Sequence, residues 1–120
     1  MKKILIVEDD VDIHNLIKDI LKKERYDVIS AYSGTEAILL IEKNNVDLIL
    51  LDLMLPGLSG EELIRKIKDI PIIVLSAKVS SEDKVNVLSN GANDYITKPF
   101  DANELLARIK VQLRINKNNK

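Results

Sequence analysis

Apolar residues in this chain gather in short unbroken runs, separated by longer stretches in which they recur every three or four positions. Ile4-Leu5-Ile6-Val7, Leu48-Ile49-Leu50-Leu51 and Ile72-Ile73-Val74-Leu75 are continuous, the pattern of parallel strands covered on both faces. Val28-Ile29 within YDVISA alternates more, and DYIT (Asp94 to Thr97) is short, which suits sheet edges. Ile13, Leu16, Ile17, Ile20 and Leu21 follow the stripe of an amphipathic helix without a gap. Helix starts are marked by chemistry as well as by periodicity. Ser33-Gly34-Thr35-Glu36, Ser59-Gly60-Glu61-Glu62 and Asp101-Ala102-Asn103-Glu104 each resemble a capping box ahead of a periodic segment. Ser80 or Ser81 can open a further helix, which Asn90-Gly91 closes. The pattern predicts strands β1 to β5 over 3–7, 26–31, 47–51, 71–75 and 94–97. It predicts helices α1 to α5 over 10–23, 34–43, 60–69, 81–89 and 101–115. Strict alternation of strand and helix implies an α/β fold with a parallel, doubly wound sheet and right-handed crossovers.

Length and composition narrow the picture. A chain of 120 residues, 46% hydrophobic and 31% charged, is the size and make-up of one folded domain. Residues 1–115 are expected to form it, with 116–120 a polar tail that frays or begins a linker to a further domain. A net charge of −1 argues against attraction of the whole molecule to nucleic acid or anionic lipid. The absence of cysteine excludes disulfides, thiolate nucleophiles and Cys-ligated zinc. The single histidine, His14, excludes an internal pair of His ligands and is expected on the surface of α1. MKKILIVEDD has only four apolar residues in a row before its acids, too few for a signal peptide. No segment approaches the ~18 apolar residues of a membrane span, so the expectation is a cytoplasmic protein without membrane contact. Arg108, Lys110, Arg114, Lys117 and Lys120 make a basic end to α5, where cations suit the helix dipole.

In an open doubly wound sheet, ligands bind outside the carboxyl ends of the strands. Glu8, Asp9 and Asp10 follow β1, Asp52 follows β3, Ser76 follows β4 and Lys98 follows β5. If β1 and β3 are central neighbours, several carboxylates converge, and a cation must neutralise them. Oxygen-only donors favour a hard ion, and a small incomplete cage favours Mg²⁺. A carboxylate can also attack phosphorus to form an aspartyl phosphate. Asp52, alone at a central strand end and followed by the turn-forming Leu53-Met54-Leu55-Pro56-Gly57, is the candidate nucleophile, with its oxygen expected to be accessible. Lys98 and the Ser76 hydroxyl are placed to contact the phosphoryl oxygens.

IVEDD after β1, DLMLPGLSG after β3, LSA after β4 and DYITKPF at β5 together resemble the receiver domain of two-component response regulators, in order and along the whole chain. The resemblance implies a CheY-like (βα)5 fold of sheet order 2-1-3-4-5. It implies Asp52 as phosphoacceptor, Asp9 and Asp52 as direct Mg²⁺ ligands, Glu8 acting mainly through water, and the Met54 carbonyl as a further ligand. Ser76 and Lys98 would contact the phosphoryl group, Tyr95 would change rotamer with Ser76, and Lys98-Pro99 would be a cis peptide. The phosphoryl source would be a histidine on a partner sensor kinase, so the protein is expected to be a phosphoacceptor and not a turnover enzyme. Met54, bordering the path of an in-line water with Lys78 on the other side, leads us to expect slow self-dephosphorylation.

GANDYITKPFDANELLARIK resembles most closely the OmpR/PhoB subfamily, whose receivers precede a winged-helix DNA-binding domain. That implies transcriptional output through a DNA-binding domain not in this sequence, and phosphorylation-driven homodimerisation through the α4–β5–α5 face. Isologous pairs Lys84–Glu104 and Asp94–Arg108 would set the register. Asn93 departs from the acid often found at that point of the subfamily. Two alternatives stay open: a stand-alone receiver acting through protein contacts or a phosphorelay, and a small Mg²⁺-dependent aspartyl-phosphate phosphatase, since Asp10-Val11-Asp12 is formally a DxD.

Overall fold

The structure, a computed structural model, describes residues 1–77 and 80–118, so Lys78 and the last two positions of the tail, Asn119 and Lys120, lie outside the described residues. Strands β1 (Lys3–Val7), β2 (Asp27–Ala31), β3 (Leu48–Asp52), β4 (Ile72–Ser76) and β5 (Asp94–Thr97) alternate with helices. The helices are α1 (Val11–Lys23), α2 (Gly34–Lys43), α3 (Gly60–Lys66), α4 (Ser81–Ser89) and α5 (Ala102–Asn118). The sheet is parallel with order β2-β1-β3-β4-β5, the doubly wound arrangement expected, and β2 and β5 are its edges.

The continuous apolar runs serve two faces at once. Because successive strand residues point to opposite sides, Leu5, Val7, Ile49, Leu51, Ile72 and Val74 pack toward α2, α3 and α4 through Ala37, Leu63, Ile64 and Val87. Ile4, Ile6, Leu48, Leu50, Ile73 and Leu75 pack toward α1 and α5 through Ile17, Leu21, Leu105 and Ile109. Each such side chain contributes on the order of 1.5–3 kcal/mol when fully buried. Helix starts follow the capping chemistry. The Asp10 carboxylate accepts from Ile13 N, Ser33 Oγ from Glu36 N, Ser59 Oγ from Glu62 N and Ser80 Oγ from Asp83 N. Asp101 Oδ1 accepts from both Asn103 and Glu104 N–H.

Several boundaries differ from expectation. Helix α3 stops at Lys66 and not at residue 69. Ile70 precedes Pro71, which disfavours helical backbone before it, and Asp69 already sits at φ 66°. Helix α5 continues to Asn118 through what was expected to be tail. Strands β3 and β4 each run one residue further, so Asp52 and Ser76 are the last residues of their strands and not the first of the loops. No helix among the described residues is long and apolar enough to cross a membrane.

Candidate functional site

Register brings the acids together. Val7 pairs with Leu51, so the next residues, Glu8 and Asp52, emerge side by side from adjacent strands. On the other side Asp52 pairs with Leu75 and Ser76 with Thr97, which sets Lys98 one step beyond the sheet at the same end. Glu8, Asp9 and Asp52 each offer a carboxylate oxygen within 4.8 Å of the others. Lys98 reaches across them: its Nζ donates to Glu8 Oε1 at 2.8 Å and lies 3.5 Å from Asp52 Oδ2. Two residues separated by ninety positions are thus joined by an ion pair that the sheet order alone makes possible. Asp10 N–H donates to Glu8 Oε2 and Met54 N–H to Asp52 Oδ1, each at 3.2 Å.

The environment is more enclosed than a lone strand-end loop would give. Asp52 is only 6% exposed, a correction to the expected accessible carboxylate, because its strand continues through it. Met54 behind it is 67% exposed. Glu8 and Ser76 are buried. Burial pushes the Glu8 carboxyl above its ordinary value, the neighbouring Asp52 charge adds to that, and the Lys98 hydrogen bond only partly opposes it. For Lys98, burial works against the charged form, but the bond to Glu8 and the two carboxylate charges outweigh it and leave the ammonium held above its usual range. The donor set, hard carboxylate oxygens close together with an excess of negative charge over Lys98, fits a hard cation such as Mg²⁺.

The remaining expected residues fall into place unevenly. Tyr95 is buried on β5, with Lys84 Nζ 5.6 Å from its ring centroid. The Lys98-Pro99 peptide is cis. The dimer-face charges, however, are engaged within one chain. Arg108 donates to both oxygens of Asp94 at 3.0 Å and to Glu104 Oε2 at 3.2 Å, so pairs expected between two copies have in-chain partners here. Asp94 holds the Arg108 guanidinium above its usual range. Asn93 has work of its own, since its Oδ1 accepts from Ile72 N and its N–H donates to Ile72 O, extending the β4–β5 pairing.

His14 overturns its expectation outright. It is 0% exposed, its Nδ1 lies 2.9 Å from the Glu8 carbonyl oxygen, and its ring stacks on Tyr32 with centroids 4.2 Å apart. The available signal was its position beside Ile13 and Ile17, at the inner margin of the α1 stripe.

A sequence profile of the response regulator receiver domain matches residues 4–110. The receiver domain of Francisella response regulator 1452 is 36% identical, covers 100% of both chains and superposes with a TM-score of 0.91. A CheY-like response regulator receiver domain protein from Methanospirillum hungatei is 35% identical over 100% of this chain and 99% of its own, with a TM-score of 0.93. NtrX from Brucella abortus, solved in complex with ADP, matches 99% of this chain at 32% identity and a TM-score of 0.92, over 29% of its own length. Agreement in sequence and backbone along nearly the whole chain places it in the response regulator receiver domain family of two-component signalling.

Proposed function

We propose that Asp52 accepts a phosphoryl group from a histidine of a partner sensor kinase, with Mg²⁺ held by Glu8, Asp9 and Asp52, and that the α4–β5–α5 surface carries the output. The observation that carries this reading is Lys98 Nζ bridging Glu8 Oε1 and Asp52 Oδ2 at the end of the central strands. A cation in that position can follow charge onto phosphoryl oxygens as it leaves the carboxylates. In the step itself an Asp52 carboxylate oxygen attacks phosphorus. A phosphorus–oxygen bond forms, the phosphorus–nitrogen bond to the donor imidazole breaks, and its electron pair returns to the ring. Bound Mg²⁺ would supply further neutralisation of the equatorial oxygens. The Ser76 hydroxyl, buried at the adjacent strand end, is assigned a third phosphoryl contact.

The expected product is a stoichiometric, base-labile adduct. Intact mass after acetyl phosphate and Mg²⁺ should show one added phosphoryl group, absent in Asp52→Asn; full labelling of that variant would move the site elsewhere. Steady turnover of small phosphate esters would instead support the phosphatase reading. For output we favour the OmpR/PhoB type, a cytoplasmic transcription regulator acting through a winged helix outside this sequence and dimerising when phosphorylated. Lys84, Asp94, Glu104 and Arg108 share the required face. The stand-alone receiver is kept as a second reading because Asp94 and Glu104 already hold Arg108 within the chain.

A further inference from the structure

The acid cluster is held unevenly. Glu8 is tied at every polar handle: its N–H donates to Ala31 O, its carboxylate accepts from Lys98 and Asp10 N, and its carbonyl faces His14 Nδ1. Asp52 has Lys98 and Met54 N. The exposed Asp9 carboxylate, by contrast, has no hydrogen bond or ion pair to a described residue. Its place is set by the backbone alone, and the Glu8 carbonyl and the Asp9 N–H belong to one planar peptide unit.

A carbonyl oxygen only accepts, so the contact at 2.9 Å assigns the ring proton of His14 to Nδ1. In the neutral ring with that tautomer Nε2 is the acceptor, and it is buried without a partner among the described residues. An apolar side chain of similar size would leave no such orphan, and a buried orphan calls for a compensating role. Tyr32, the residue after β2, stacks on the ring at an interplanar angle of 16° and helps to hold its orientation.

We propose that His14 is a positioning residue for the metal-binding acids: its Nδ1–H clamps the Glu8–Asp9 peptide and thereby aims the Asp9 carboxylate at the cation. This rests on the reading that Glu8, Asp9 and Asp52 bind Mg²⁺. Residues outside a metal's ligands that orient them commonly contribute about tenfold or more to affinity. His14→Leu should therefore weaken Mg²⁺ about tenfold while melting at or above the wild-type temperature in chelator, since the orphan acceptor is gone. His14→Asn, whose amide N–H can reach the same carbonyl, should bind within about twofold of wild type, whereas His14→Gln, with its amide one carbon further out, should resemble the leucine variant.

Calorimetric titration of Mg²⁺ into the full chain, with the Asp9 amide resonance followed by NMR, reads this out. Wild-type protein that takes up no Mg²⁺ refutes the metal reading itself and removes the basis of the proposal. Wild-type binding matched by unchanged affinity in His14→Leu overturns the positioning role alone. If the leucine variant does not fold, the asparagine and glutamine variants decide: a clear difference in affinity in favour of asparagine supports the clamp, and equal affinity overturns it.

Discussion

At the scale of single residues, the acids at the strand ends are held against their own repulsion. Burial raises the folded Glu8 pKa above its ordinary 4.5. Below that value Glu8 is protonated in both the folded and the unfolded chain and makes no difference to stability. As pH rises toward the raised folded pKa, the unfolded chain releases its proton first, so unfolding becomes easier. Metal-free protein should accordingly lose stability relative to Glu8→Gln as pH rises past the ordinary glutamate value of 4.5 toward the raised folded one. Urea unfolding of both proteins in chelator measures this, and parallel curves would contradict it. Saturation with Mg²⁺ at about a hundred times its Kd should restore roughly 2.7 kcal/mol to the wild type. Met54 gives a second test at this scale. Its side chain stands exposed beyond Asp52 and has no group to orient a water, so Met54→Asn should shorten the aspartyl phosphate half-life, and equal half-lives would refute the assignment.

At the scale of elements, the loop from β3 to α3 decides where Asp52 points. Gly60, the first residue of α3, sits against that strand end. A Cβ there would lie 2.7 Å from Leu53 Cα, 2.9 Å from Leu53 Cδ2 and 3.2 Å from Asp52 O. Helix propensity favours alanine over glycine by up to about 1 kcal/mol. A backbone atom at 2.7 Å cannot give way as a side-chain tip can, and overpacking typically costs about 1–3 kcal/mol. Gly60→Ala is therefore expected to be net destabilising and to slow labelling of Asp52 by shifting the loop. Denaturant midpoints and labelling rates test the two halves, and a variant as stable as wild type would mean the loop accommodates the methyl group. The neighbouring cap acts separately: Ser59 satisfies Glu62 N, and Ser59→Ala should cost about 1 kcal/mol without altering labelling.

At the scale of the whole molecule, the proposed association would exchange contacts more than add them. Arg108 already bonds Asp94 and Glu104 in one chain. Moving it to a partner's Asp94 replaces one partly exposed pair by another, each worth only ~0.2–1 kcal/mol. In such a dimer charge would set register and salt sensitivity, while affinity would have to come from apolar surface. Val85 and Leu88 on α4 and Val111 and Ile115 on α5 are exposed and available for that. We expect beryllofluoride-treated protein to sediment as a weak dimer, tighter at low salt, and Arg108→Glu to stay monomeric. Treated wild type that remains monomeric at hundreds of micromolar would favour the stand-alone receiver.

What the sequence determined by itself is what local physics writes: apolar runs too short for anything but strands, caps that open each helix, and acids, serine and lysine at successive strand ends. Those signals act over a few residues, so the order of elements and the parallel sheet were legible before any coordinates. The cluster of Glu8, Asp9, Asp52 and Lys98 followed only on the condition that β1 and β3 are neighbours, an order the family resemblance implied. Tertiary structure decided what depends on partners far away in sequence. His14 was read as a surface residue because its helix offers it only the margin of the apolar stripe. It is buried because the end of β2 delivers Tyr32 onto its ring and the β1–α1 turn delivers the Glu8 carbonyl to its nitrogen. Arg108 was read as a contact for another chain because the family resemblance implied that pairing, and the spacing that shows Glu104 one turn away cannot show Asp94 lying beside it in the same chain. The depth of Asp52 and the bridge from Lys98 likewise exist only once β3 lies between β1 and β4, since register, and not residue type, sets which strand ends meet.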